Sequence, residues 1–376
     1  MLHRINIPAC RAQLEWIVQL QWRLLTALCQ PDVKSQDITV DWVIAQSPDL
    51  GHRWVTTFCS RKDQIDSIKR PMLQHMQAIA GLASADKQAL VEAFEHDQQF
   101  HLAFEANSSQ PRRLRGLSSF QNQGAVEAVR GFFESFYAPN FYANAGYDIP
   151  QVDGSVVRFH RGEFFKHFQV ANPQMCVCPM CDGDWGEPHV DHFYPKSQYP
   201  YLSCHPLNLV PICPTCNSPQ NKGEKLPLTS DKDDPMTDWF HPYLRSAQGS
   251  FQVRFERLAD GTTPVLFSPD PQVQARLDNL EHLIKLNQRW RKALSREFQV
   301  TLRRIEKRCK ATGHPMSKEE LVAKLSEWAE DEECEIGLKA FGLVSTRYLQ
   351  CAASGDAVIF DELWIYNVKA DALTGK

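Results

Sequence analysis

The sequence predicts a mainly α-helical chain, α+β overall, with one small metal-stapled module inserted in it. Three observations carry this. Apolar residues recur at helical intervals through the first and last thirds. The middle is poor in them and dense in Cys, His, Asn and Pro, and it holds two copies of Cys-Pro-x-Cys.

Between Cys10 and Cys29, the residues Leu14, Ile17, Val18, Leu20, Leu24, Leu25 and Leu28 follow a helical spacing, and residues 72–82 and 87–104 repeat it. Ser108-Ser109-Gln110-Pro111 reads as a loop, and residues 122–136 as a further helix stopped by Pro139 and the 146–150 region. Residues 1–150 thus form a helical N-terminal domain with no recognisable chemistry, suited to regulation or to binding a partner or target. Autoinhibition is one such role, in which removing the domain raises activity.

Residues 151–230 change character, with a β-like piece at Ser155-Val156-Val157-Arg158-Phe159 and many prolines. So few apolar residues could hardly hold a module together without a structural ion. Residues 231–376 are mainly helical again. Phe251, Val253 and Phe255 mark one side of a strand, with a hairpin turn at Asp260-Gly261. Residues 272–310 read as one or two long helices, and Ser317-Lys318-Glu319-Glu320 as a capping box. Residues 357–366 read as a short strand or an apolar tail docked on the body.

Composition narrows the function classes. Of 376 residues, 43% are hydrophobic, the signature of a folded chain, and a net charge of −4 argues against coating nucleic acid by bulk charge. No stretch approaches the roughly 18 to 20 apolar residues of a membrane span, so no membrane partner is expected. Twelve cysteines without an apolar signal core after Met1 point to reduced thiols or metal ligands and to a cytoplasmic address.

Cys178-Pro179-Met180-Cys181 and Cys213-Pro214-Thr215-Cys216 each present two thiolates from a tight turn, and together they make a four-sulfur structural zinc site. A pair of redox dithiols would need a strand-to-helix context that neither copy has. Cys176 reads as a buried thiol outside this symmetry, and Cys10, Cys29, Cys59, Cys204, Cys309, Cys334 and Cys351 as small apolar packing.

The stretch around the second pair carries the chemistry: His189-Val190-Asp191-His192-Phe193-Tyr194-Pro195-Lys196-Ser197, Pro206-Leu207-Asn208-Leu209-Val210-Pro211, Cys216-Asn217, and Asn221-Lys222-Gly223-Glu224-Lys225. Phosphodiester hydrolysis needs a base for water, a cation at the phosphate and stabilisation of the departing oxygen. His192 titrates near neutrality. Asp191 is a hard ligand for magnesium or manganese, and Asn217 could add a second oxygen from a helix following the knuckle.

These four elements, in this order, resemble the HNH endonuclease family, over the stretch from Cys178 to Lys225 alone. The resemblance implies a ββα-metal fold, a zinc-stapled nuclease cutting DNA, and His192 as general base. It also implies that Asn208 fixes the loop between the strands and orients His192. The branch with DHFYPKS, NLVP and CxxCN segments comprises bacterial nucleases of mobile elements or anti-phage defence, so other proteins of a defence system are expected partners. One departure concerns the lysine: Asn217 and Lys222 are five apart and Asn221 intervenes, so Asn221 could be the ligand instead. Asn217 is preferred because it follows the zinc knuckle directly. The alternative is a non-catalytic zinc-stapled module that binds nucleic acid or protein.

Grip on a polyanion is expected from Lys196, Lys222 and Lys225, and from a basic helix in which Lys285, Arg289, Arg291, Lys292, Arg296, Arg303, Arg304, Lys307, Arg308 and Lys310 face only Glu297 and Glu306. Arg289, Arg296 and Arg303 are its chosen contacts, with Trp290 adding stacking or packing. His189 and His205 read as structural, and Asp182, Asp184 and Glu187 as a solvated turn.

Overall fold

Among the described residues, helices lie toward both ends of the chain and three two-stranded antiparallel sheets lie between them. The computed structural model describes residues 1–60, 70–105, 113–120, 122–142, 146–151, 153–229, 236–258 and 261–374. The loop expected at Ser108-Ser109-Gln110-Pro111, and Asp260 of the expected hairpin turn, lie outside the described residues.

Helix α1 (Arg11–Leu28) buries Leu14, Ile17, Leu20, Leu24, Leu25 and Leu28, as its spacing requires. It packs with α2 (Val40–Gln46), α3 (His52–Ser60), α4 (Met72–Ala80) and α5 (Ser84–Gln98) around α6 (Gln123–Ser135). Helix α4 comes so close that a Cβ at Gly131 of α6 would lie 2.2 Å from the His75 ring. Pro139 does not stop the chain as expected. Helix α6 runs into a π-helical turn, Phe136–Tyr142, and Asn140 Nδ2 donates to the Ser135 carbonyl at 2.8 Å, replacing the amide donor that proline lacks.

Strands β1 (Tyr147–Pro150) and β2 (Val156–Phe159) form a hairpin, and α7 (Arg161–Ala171) follows, capped by His160. Strands β3 (His189–His192) and β4 (Leu209–Ile212) form the second hairpin, and β5 (Gln252–Leu258) with β6 (Gly261–Phe267) the third. Val253 and Phe255 of β5 are buried, following the predicted alternation.

The long basic stretch is two helices, α8 (Pro271–Ile284) and α9 (Leu286–Thr312), broken at Lys285, whose φ is 51°. Helix α10 (Lys318–Glu333) opens with the expected capping box of Ser317 and Glu320, and α11 (Gly342–Ala353) follows. The segment read as a strand or tail is helix α12 (Ala357–Thr374). Ile359, Leu363 and Asn367 recur every four residues and all are buried, and the Asn367 amide is bonded to Met316 backbone at both its ends.

Buried side chains form two cores. The first gathers α1 to α6, rich in phenylalanine, and takes in Val190, Tyr201, Cys204 and Leu209. The second gathers the four knuckle cysteines with α8 to α12, and takes in Phe193, Tyr194, Val210 and Ile212. The β3–β4 hairpin therefore has one face in each core. Removing residues 1–150 would uncover Val190, Tyr201 and Leu209, so a gain of activity on truncation does not follow from this architecture.

A further correction concerns the expected third element of a ββα unit. Among the described residues, no helix follows β4: residues 213–225 run as successive turns, where Pro214 and Pro219 interrupt amide donors and Gly223 takes φ +41°.

Candidate active site

The two Cys-Pro-x-Cys turns meet at the inner end of the β3–β4 hairpin. Cys178, Cys181, Cys213 and Cys216 are all buried, with their sulfurs within 4.8 Å of one another. The Sγ atoms of Cys178 and Cys216 are 3.9 Å apart and those of Cys181 and Cys213 are 3.8 Å apart. Zinc–sulfur bonds of ~2.3 Å in a tetrahedron require edges of ~3.8 Å. The four cysteines could therefore hold a metal ion such as zinc.

Helix α9 clamps this cluster. Arg289 directs Nη1 to Cys216 Sγ at 3.1 Å and Nη2 to Cys181 Sγ at 2.9 Å. Trp290, fully buried, donates Nε1–H to the Cys181 carbonyl at 3.1 Å. Arg289, expected on phosphate, thus faces sulfur, and Trp290 is packing. A guanidinium beside four thiolates offsets charge that a divalent ion leaves uncompensated.

A cleft of about 710 Å³ runs along β3, lined by His189, Asp191, His192, Lys196, Asn217, Glu224, Lys225 and Tyr137 among others. Cross-strand pairing puts His192 on the face of Val190 and Leu209, and Asp191 with His189 on the face of Val210 and Ile212. His192 Nε2 lies 3.0 Å from the Ser203 carbonyl, which can only accept, so Nε2 carries the proton and Nδ1 is left as an acceptor. The Tyr137 ring meets the imidazole edge-on at 4.3 Å between centroids. Burial, and then the Lys196 charge, pull the imidazole down to about 3, so His192 does not titrate near neutrality as expected and stays neutral.

Asp191 is buried and pushed up to about 6 by desolvation, against the pull of Lys222. Lys222 is itself fully buried, with Nζ 3.1 Å from Asp191 Oδ1 and 2.8 Å from Oδ2. Both carboxylate oxygens therefore face the Lys222 ammonium, Oδ1 through a hydrogen bond and Oδ2 through the closer ion pair. A carboxylate at a cleft is the kind of hard oxygen ligand a divalent cation takes, and here it is already paired with an ammonium. Asn217 Nδ2 lies 3.1 Å from His189 Nδ1, which turns the amide across the cleft. Asn221, the other candidate ligand, is buried within the turn, its amide donating to the Thr215 carbonyl at 2.7 Å.

Asn208 is fully buried, accepting from Tyr194 N at 2.7 Å and donating to the Tyr194 and Leu202 carbonyls at 3.0 Å each. It braces the loop between the strands as expected. The bond that orients the His192 ring, however, comes from Ser203, so Asn208 acts on the ring only through that loop.

Of the expected phosphate contacts, Lys196 and Lys225 line the cleft, while Lys222 points inward. Lys196 is paired at 2.9 Å with Glu134, a buried α6 residue. Arg296 and Arg303 are exposed on α9, and Arg296 lines a second cleft on the far side of the knuckle with Lys292 and Thr215. Asp182 is not solvated: it is buried, receiving His3 Nε2 at 2.6 Å and Leu343 N at 2.9 Å. Cys176 is exposed rather than buried, as is Cys334. His205 is buried with its ring tilted against Phe100 at 5.0 Å between centroids, as a structural residue would be.

Sequence reasoning missed Glu134, Tyr137, His189 as a cleft residue, and the Ser203 carbonyl. Only His189 had a signal, its shared strand parity with Asp191; the others arrive from distant segments.

No family model and no solved structure matches the chain. Over 68 residues, 18% of its length, it is 40% identical to a protein described as Protein ea31 of Escherichia phage lambda, and the matched stretch spans 21% of that protein. No helix among the described residues is long and apolar enough to cross a membrane.

Proposed function

We propose that this chain is a metal-dependent endonuclease of the HNH type that hydrolyses phosphodiester bonds of DNA. The observation that carries the reading is that His192 with an acceptor nitrogen, the Asp191 carboxylate and Asn217 line one cleft. His192 Nδ1 takes a proton from water, the water oxygen attacks phosphorus, and the P–O3′ bond breaks; the departing 3′-oxygen takes a proton from solvent water, leaving a 5′-phosphate and a 3′-hydroxyl, and His192 returns its proton to solvent. Magnesium or manganese held by Asp191 and Asn217 would supply a Lewis acid at the scissile phosphate. Asn217 is preferred over Asn221 because the amide of Asn221 is bonded inside the turn. Zinc at the four cysteines is structural, keeping Asn217 at a fixed distance from β3.

Lys225 and Lys196 are placed to meet phosphate at the cleft, and the exposed Arg296 and Arg303 to meet it farther out. The partial likeness to a phage protein is in keeping with a mobile-element or anti-phage setting. The test incubates zinc-loaded protein with supercoiled plasmid, single-stranded DNA and RNA, with and without magnesium or manganese, beside His192→Ala. Loss of a general base lowers the rate by about 10²- to 10⁴-fold. Cutting that persists in the variant refutes the assigned base, and no cutting by either protein moves the reading to a non-catalytic binding module.

A further inference from the structure

We infer that the divalent ion and a DNA phosphate load this site together, because Lys222 already neutralises the carboxylate that would hold the ion. The inference rests on the nuclease reading of the cleft. Lys222 is fully buried, and its ammonium donates to Asp191 Oδ1 at 3.1 Å, the His192 carbonyl at 2.7 Å and the Gly223 carbonyl at 3.3 Å. With Asp191 Oδ2 at 2.8 Å as well, four oxygens surround the ammonium, so it is a fixed part of the site: moving it aside would leave the carboxylate and two carbonyls without it.

The charges around the cleft balance. Asp191, Glu224 and the buried Glu134 stand against Lys222, Lys196 and Lys225, and Asn217 and the neutral His192 add none. An incoming dication thus meets one carboxylate whose field is cancelled by an ammonium within 3.1 Å. A phosphodiester brings the missing negative charge and further oxygen ligands, which a magnesium-type ion takes readily in place of protein groups. Each of the two therefore raises the affinity of the other by the same factor. Lys222 is a positioning residue that makes metal binding conditional on substrate, and so keeps the hydrolytic site unloaded on the free protein.

The test measures manganese binding by electron paramagnetic resonance on zinc-loaded, full-length His192→Ala protein, with and without a short duplex DNA. DNA is expected to tighten manganese binding by about tenfold or more, in the range of ordinary site coupling. Lys222→Met, checked for retained zinc and an intact thermal transition, should bind manganese alone more tightly and show less effect of DNA. A lysine that merely braced the loop would weaken metal binding on removal. Equal manganese affinity with and without DNA overturns the inference and leaves the nuclease reading standing. No manganese bound in any arm overturns both. The comparison with and without DNA needs no Lys222 variant, so it decides the matter even if Lys222→Met fails to fold.

Discussion

His192 and Asn217 line one cleft, yet they hang from opposite halves of the molecule by different kinds of force. His192 lies on the hairpin face with Val190 and Leu209, and its ring is set by Tyr137 and by the carbonyl of Ser203, whose hydroxyl in turn donates to the Phe133 carbonyl at 3.2 Å. Aromatic packing from the N-terminal helices therefore fixes the His192 ring. Asn217 follows Cys216, and its position depends on four sulfurs and on Arg289 and Trp290 of α9. The difference teaches that the two sides can be damaged separately: one by opening a hydrophobic core, the other by removing an ion.

The largest effect is expected on the sulfur side. A structural zinc can be worth about 10 kcal/mol or more of folding free energy, comparable to the ~5–15 kcal/mol net stability of a domain. Cys213→Ser should therefore lose the bound zinc, measured by elemental analysis, and with it the cooperative thermal transition of the second core. A variant that melts within a few degrees of the parent would show that the cluster holds no structural ion. On the aromatic side, Phe133→Ala removes a fully buried ring in contact with Phe94 and Tyr201 at centroid distances of 5.6 and 5.1 Å. Deleting such a ring costs about 3–5 kcal/mol. Denaturant unfolding should report that loss while zinc stays at the parental ratio, and cleavage should fall because Ser203 and the His192 ring lose their support. Loss of zinc along with the ring would mean that the two sides are one cooperative unit.

What could be read from the sequence divides along the same line. The knuckle, the Asp191–His192 pair, Asn208 and Asn217 lie in short runs whose spacing states a local geometry; the four cysteines cluster, and Asp191, His192 and Asn217 line one cleft, while Asn208 lies buried beside it and Asn217 sits on a turn rather than on a helix. Helices α1, α6 and α10 were legible because apolar period and capping are also local. Glu134 and Tyr137 were not, because nothing in a sequence says which face of α6 and of the π-helical turn after it will meet a strand some fifty residues later, as Tyr137 O–H meets the Val190 carbonyl at 3.4 Å. Lys222 and Arg289 were misread for a related reason. A lysine or arginine on a polar stretch looks solvated until a buried carboxylate or a thiolate cluster, assembled from elsewhere, gives it a partner.

The smallest effect, and the one that sharpens the comparison most, concerns the contact reaching from α6 to the cleft lip. Burial raises the Glu134 carboxyl above its ordinary range, with Lys196 opposing the shift. A carboxyl raised by folding favours the native state fully below its unfolded value, and that contribution is lost as pH climbs through the folded value. At neutral pH the ionised Glu134 therefore carries a desolvation cost, which Glu134→Gln removes. The ammonium left behind is not stranded, since Lys196 is 29% exposed and can turn to water. The variant should thus match the parent at pH 7 to within about 1 kcal/mol, on the stable side, and lose that advantage as pH falls toward 4.5. Thermal melts of both proteins across this range measure it. A variant several kcal/mol weaker at pH 7 would mean that the ion pair, rather than the surrounding phenylalanines, anchors the base side of the cleft.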